Sequence, residues 1–253
     1  MIIQGVTLKN VGYVIDQDYI SNGLQYYVDA GRTASYPGSG TSMTNISGTN
    51  IGASALANGP VFTSAGTGSY FTFNGSNNVV YTPTMLSLFN SPVNNNVTLE
   101  VWIRTSSDNG VILSEQGASP INAGWHDSQI EIVSGSVKMA VWTASGFSTI
   151  INAGAVTRNA WQQYVLTFDV STSTLRGYIN GVNTASAGSI TRASPQSTGQ
   201  PQLYYDLMYN DSTNEGDGSS LAGDWSIFRV YNRALSAGEV LQNFNYTKSR
   251  YGL

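Results

Sequence analysis

Trp225 to Tyr231 is a run of aromatic and β-branched residues that reads as a strand, and Asn232-Arg233 breaks it. Ser236 and Glu239 then stand at capping-box spacing: the hydroxyl can accept an N–H of the first helical turn, and the carboxylate can reach back. Val240, Leu241, Phe244 and Asn245 follow at helical spacing. The pattern predicts one helix near residues 236–247, held down by Leu241 and Phe244. A lone capped helix after a strand constrains the fold strongly, because the residues before it contain no helical alternation for parallel βαβ units.

Those earlier residues read as strands and turns. Val97, Leu99, Val101 and Ile103 present one apolar face, while Glu100, Trp102 and Arg104 point the other way. Ser134-Gly135 suits a two-residue turn, which pairs Val133 with Ser136, Ile132 with Val137, Glu131 with Lys138 and Ile130 with Met139. In that register the apolar pairs share one face and the opposite charges meet on the other. Asn180-Gly181 marks a second hairpin, and residues 31–68, with Pro37-Gly38-Ser39-Gly40 and Asn58-Gly59-Pro60, read as turns wrapping one end. The expected architecture is all-β: a two-sheet antiparallel jelly-roll sandwich with one short C-terminal helix.

Tyr231-Asn232-Arg233-Ala234-Leu235-Ser236 with Glu239 resembles the closing element of laminin-G-like, concanavalin-A-like jelly-roll domains. Further landmarks follow in the family's order: Gly23–Ala30 as the opening strand, Phe71–Asn78 as the aromatic-Gly turn, Val97–Ile103 as the central strand, Trp161–Asp169 as the tryptophan strand and Tyr178–Gly181 as a hairpin. The continuation Gln242-Asn243-Phe244-Asn245 and the ending near Ser249–Gly252 look most like copies in structural and tail proteins of tailed bacteriophages. The resemblance implies a sandwich domain over 23–253 and membership of a virion, as a head-decoration or tail-associated protein. It gives no ligand by itself. Residues 1–22 lie outside it and are expected to be an N-terminal assembly arm, disordered alone and ordered by adding a strand to a neighbour.

Composition removes several functions. The 253 residues are ample for one large sandwich. The net charge is −4 with no basic stripe, which argues against a nucleic-acid partner. No apolar run is long enough to insert in a membrane, and residues 1–22 lack a charged start and apolar core. Cysteine is absent, so disulfides, thiolate metal sites and cysteine nucleophiles are excluded. The expected localisation is a virion, with synthesis in the bacterial host cytoplasm. Sequons at Asn45, Asn74, Asn96, Asn210 and Asn245 are what chance produces in an Asn/Ser/Thr-rich chain.

The jelly-roll glucanases carry a Glu-x-Asp-x-x-Glu strand, whose alternation points both glutamates into a cleft. Here Glu215-Gly216-Asp217 starts that pattern and Ser220 stands in place of the second glutamate. His126 is the only histidine, and no Gly-x-Ser-x-Gly elbow precedes a helix. The chain is therefore expected not to be an enzyme. For glycan binding the candidates are Trp125, His126 and Asp127 on one loop, with Trp142 and Trp102 as stacking platforms and Tyr205 and Tyr209 nearby. The plainer reading is that Trp125 packs at a sheet edge, and that loops covering the outer face would make Trp102 and Trp142 core. Asp211, Asn214 and Asp217 place oxygen ligands in one loop and make Ca²⁺ the candidate ion, although Ala222 stands where an EF-hand would close with glutamate. A solvated turn is the plainer reading of that loop. The expected partners are other virion proteins, further copies of the chain and host-surface glycan. A carbohydrate-binding module or host-receptor-binding protein is the alternative function, and a glycoside hydrolase is disfavoured.

Overall fold

A computed structural model describes residues 18–88, 95–121, 126–143, 148–193, 202–210 and 219–253, with only the backbone at 126–127 and 148–149. In chain order the strands are β1 (Leu24–Asp29), β2 (Ser42–Met43), β3 (Ser54–Ala57), β4 (Val61–Thr63), β5 (Tyr70–Asn74) and β6 (Val79–Tyr81). They continue with β7 (Val97–Arg104), β8 (Gly110–Gln116), β9 (His126–Val133), β10 (Ser136–Trp142) and β11 (Ser148–Ala155). The last five are β12 (Trp161–Asp169), β13 (Thr174–Ile179), β14 (Val182–Ala187), β15 (Tyr204–Leu207) and β16 (Ala222–Tyr231). The helix α1 spans Ala237–Thr247, and a 3₁₀ turn, Lys248–Tyr251, follows it.

The strands form two antiparallel sheets. The first runs β14-β13-β12-β7-β16-β5-β4, with β1 also paired to β16; the second runs β11-β10-β9-β8-β15-β6-β3-β2. The expected all-β sandwich with one short C-terminal helix is the observed fold. Both hairpin turns are present. Ser134 and Gly135 have φ of 49° and 74°, Asn180 and Gly181 have φ of 50° and 79°, as a type I′ turn requires. Glu131 stands opposite Lys138 and Ile132 opposite Val137, the register that alternation predicts.

Val97, Leu99, Val101 and Ile103 face the second sheet together with Tyr164, Leu166, Phe168, Phe228 and Val230. Ile130, Ile132, Val137, Met139 and Leu207 meet them from the other side. Strict alternation would put Trp225 on the face of Ile227, Arg229 and Tyr231. A bulge between Trp225 and Ile227 inserts Ser226, so Trp225 turns inward while the other three turn outward.

The outer face of the first sheet is covered rather than solvated. Tyr27, Trp102, Val165, Tyr178, Ile227 and Tyr231 pack there against Leu235 and Val240, with Tyr19, Ile20, Phe244 and Tyr251 against them. Ser236 caps α1 with both halves of the capping box present. One expectation is corrected here: Leu241 is 43% exposed and does not anchor the helix. Its place on the buried stripe is taken by Asn243, which with Val240 and Thr247 faces the sheet. The reason is polar: Asn243 Nδ2 donates to Glu100 Oε2 at 2.8 Å and lies 2.9 Å from the Tyr231 hydroxyl, bonds a leucine cannot make. Phe244 does contribute, stacking on Trp102 with centroids 5.8 Å apart.

Candidate functional site

The sequence candidates do not converge. Trp102 is fully buried, lies between Phe244 and Tyr251, and donates from Nε1 to Glu100 Oε1 at 3.2 Å. It is not a stacking platform, because α1 and the 3₁₀ turn cover the face that alternation assigned to solvent. Tyr205 is corrected for a different reason. It sits on a central strand of the second sheet and points inward, its ring against Phe228 and its hydroxyl donating to Glu115 Oε1 at 3.1 Å. Trp142 ends β10 half-buried, and Tyr209 is half-buried after β15. His126 and Asp127 pair through their backbone with Gln116 and Glu115, far from Trp102 on the other sheet. Trp125 and the calcium candidates Asp211, Asn214 and Asp217 lie outside the described residues. Among the described residues no three acidic or imidazole side chains come together as a metal site would need.

A ligand-sized hollow among the described residues lies elsewhere. A cavity of about 600 Å³ opens where residues 30–46 and 61–69 cap one end of the sandwich. Ring faces come from Tyr19, Tyr36 and Phe62, hydroxyls from Thr33, Ser64 and Thr67, and a guanidinium from Arg32. Tyr36, Phe62 and Phe71 pack ring against ring at 52–68° to one another, with centroids 4.8–5.2 Å apart, and so brace this wall. Volume and lining are those of a small-ligand pocket: apolar walls with a few placed polar groups.

Beneath the cavity lies a buried ion cluster. Asp29 is completely buried and accepts from Arg250 Nη1 at 2.8 Å, Arg250 Nη2 at 2.6 Å, the Tyr27 hydroxyl at 2.7 Å and the Gly31 N–H at 2.8 Å. Burial would raise its carboxyl, but the hydrogen bonds and charge of Arg250 outweigh that and hold it below its ordinary 3.8. Arg250 Nε also donates to the Thr67 carbonyl at 2.6 Å, tying the 3₁₀ turn to the cavity loop. Gly31 is required at this junction: a Cβ there would collide with the Thr67 carbonyl and with Arg250.

A second buried carboxylate, Glu100, accepts from Arg229 Nη1 at 2.7 Å and from Gln163 Nε2 at 2.9 Å, besides Trp102 and Asn243. Burial pulls the Arg229 guanidinium down, and the adjacent Glu100 more than restores it, so the arginine stays charged. Arg229 in turn lies 4.5 Å from the Tyr27 ring centroid and 5.2 Å from that of Tyr19. The two carboxylates and two arginines therefore form one stack running from α1 to the cavity floor.

The cavity residues escaped sequence reasoning because they are scattered over fifty positions of turn-rich chain. The available signal was the segment 31–68 itself: a long irregular stretch that carries Tyr36 and Phe62, on the kind of loop where binding residues concentrate.

Fold and cavity together define a concanavalin-A-like sandwich with a ligand-sized hollow at one end. The chain belongs to the Laminin_G_3 family, described as the concanavalin A-like lectin/glucanases superfamily, which matches residues 73–241. Among solved structures it is similar to the receptor binding domain of botulinum neurotoxin D, at 14% identity and a TM-score of 0.63, over 90% of this chain and 53% of that one. The binding domain of Paraclostridial Mosquitocidal Protein 1 is similar at 16% identity and a TM-score of 0.59, over 89% and 52%. The botulinum neurotoxin serotype G binding domain is similar at 19% identity and a TM-score of 0.58, over 82% and 49%. The chain thus spans about half the length of these structures, and at such identities the likeness is one of fold. They are toxin domains, not phage proteins. No curated protein matches the sequence.

Proposed function

We propose that this chain is a non-enzymatic, lectin-like binding domain carried on a tailed-phage virion, and that it contacts host-surface glycan through the end cavity. The observation that carries the binding reading is the cavity itself, with ring faces, hydroxyls and one guanidinium around about 600 Å³. The state of the carboxylates supports binding without turnover. Asp29, Glu100, Glu115, Asp224 and Glu239 each have an arginine within 2.5–2.8 Å. A glycosidase needs two carboxyl groups about 5–10 Å apart and open to substrate, and no pair among these five is left for that. The virion reading rests on Tyr231–Ser236 with Glu239 and on the residues that follow them.

The test is a glycan array probed with the whole protein, with a reducing-sugar assay on every glycan bound. Binding without release of new reducing ends is the expected result, and hydrolysis of a bound glycan would overturn the non-enzymatic reading. Mass spectrometry of purified particles tests the virion reading separately, since absence of the protein there removes it. A host-receptor-binding role is the alternative, favoured by the similarity to toxin binding domains. Retained adsorption to host cells stripped of surface glycan would select it.

The division into an arm, residues 1–22, and a domain, residues 23–253, belongs to the same proposal. Residues 1–17 lie outside the described structure, and the next three lie along α1: Ile20 N–H donates to Asn243 Oδ1 and Gln242 Nε2 to the Asp18 carbonyl, both at 2.8 Å. In this proposal the arm is taken up by a neighbouring subunit or virion protein through strand addition. Deletion of residues 1–17 should lower incorporation into particles or change the oligomeric state. Normal values of both would leave the sandwich rim as the docking surface.

A further inference from the structure

We infer that the end cavity selects an acidic sugar, a uronic or sialic acid, by pairing its carboxylate with Arg32; this rests on the lectin-like reading above. Arg32 is the one charged side chain among the described residues of the lining. Its charge is surplus. In the cluster below, Arg32, Arg229 and Arg250 bring three positive charges against the two negative charges of Asp29 and Glu100. Asp29 is already gripped by Arg250 at two points, 2.6 and 2.8 Å, and meets Arg32 Nε at 3.5 Å. Glu100 is paired with Arg229. The protein as a whole carries −4, so a net positive site in a hollow is a local departure from its general charge.

The guanidinium is also held ready. Nη2 donates to the Tyr246 hydroxyl, and the rings of Tyr19 and Tyr27 lie 5.9 and 6.0 Å from its central carbon. Even so, 39% of the side chain is exposed toward the cavity. Fixing the side chain in advance removes the entropy cost that a free surface arginine would meet on binding. A guanidinium presented at a cavity wall suits a carboxylate, to which it donates charge-assisted hydrogen bonds. The half-exposed rings of Tyr19 and Phe62 can stack on the apolar face of a pyranose, and Thr33 and Thr67 can take its hydroxyls. A carboxylate without a ring would use the arginine and leave those walls idle, which is why the inference is an acidic sugar rather than any anion.

The experiment is isothermal titration of the full chain with sialyllactose, with a glucuronate-terminated disaccharide and with lactose, each also in the presence of excess acetate. Proton–nitrogen spectra identify the binding residues. The expected result is at least tenfold tighter binding of the two acidic sugars than of lactose, little competition by acetate, and shifts at Arg32, Phe62 and Thr67. Arg32→Gln should bring acidic sugars down to the lactose level. Thr33→Trp narrows the mouth without touching the ion cluster, and should abolish binding of all three even if Arg32→Gln proves unstable. Equal binding of neutral and acidic sugars at the cavity would overturn the charge selection and leave the glycan reading standing. Full competition by acetate would show a plain anion site. Binding of no sugar at all would overturn both readings.

Discussion

On its inner face the first sheet presents Leu99, Val101, Tyr164, Leu166 and Phe228 to the second sheet; on its outer face it presents Glu100, Trp102, Gln163 and Arg229 to α1 and its flanks. Both faces are removed from water. The inner layer is held by close packing, in which any apolar side chain of suitable volume serves. The outer layer is held by matched polar partners, where each donor needs its acceptor in place. Glu100 alone takes four donors, from three strands and the helix. A buried pair of this kind adds little net stability over apolar residues but costs several kcal/mol when half of it is lost. The lesson is about tolerance: the inner layer should absorb conservative exchange, and the outer layer should not.

The sharpest way to break that comparison is Glu100→Ala, which leaves the Arg229 guanidinium buried without its carboxylate. We expect a loss of about 3–5 kcal/mol in urea denaturation, as large as for Phe168→Ala on the inner face. A loss under about 1 kcal/mol would mean that water reaches Arg229 and that the two layers do not differ as described. The double exchange of Glu100→Leu with Arg229→Met should recover most of the loss, because it removes both charges together.

Phe244→Ala comes next, at about 1.5–3 kcal/mol, since the ring is only half-buried against Trp102. Leu241→Ala on the same helix should stay within about 0.5 kcal/mol, because its side chain faces solvent. Equal shifts in thermal melts would contradict the assignment of the buried stripe.

Acid should loosen the outer layer before the inner one. Hydrogen bonds from Arg233, aided by Ser236, lower the Glu239 carboxyl from 4.5 to about 2, and Asp29 also sits below its ordinary value. Both folded values lie below the unfolded ones, so the unfolded chain binds more protons and stability falls as pH drops. The contribution of Glu239 is complete above about pH 4.5 and gone near pH 2; after solvent screening it amounts to about 1 kcal/mol, with Asp29 adding in the same direction. Helix melting followed by circular dichroism from pH 6 to 2 checks this, and a flat profile would count against it. Smallest is Ser236→Ala, which removes one capping bond at a cost of about 1 kcal/mol, measurable in a thermal melt.

Much of the fold was legible from local rules. The Ser134-Gly135 and Asn180-Gly181 turns, the Glu131–Lys138 register and the Ser236–Glu239 box all depend on residues within about ten positions of one another. The site was not legible. Trp102 was left between stacking platform and core, because alternation states only that two faces differ, not which of them meets water. Tyr205 was misplaced because four residues of β15 give no clue that the strand lies mid-sheet. Arg32 gave no signal at all, since its surplus charge exists only once Arg250, 218 positions later, has taken Asp29.

Strand period, turn chemistry and the helix cap were thus determined by the sequence alone, because each is a short-range preference of the backbone. What only the tertiary structure decided is which polar residues are partnered. Glu100 meets Asn243, Asp29 meets Arg250 at two points, and Arg32 meets Asp29 at the longer distance of 3.5 Å. Electrostatic pairing depends on distances through space, and those are set when α1 and the 3₁₀ turn close over the outer face of the sheet.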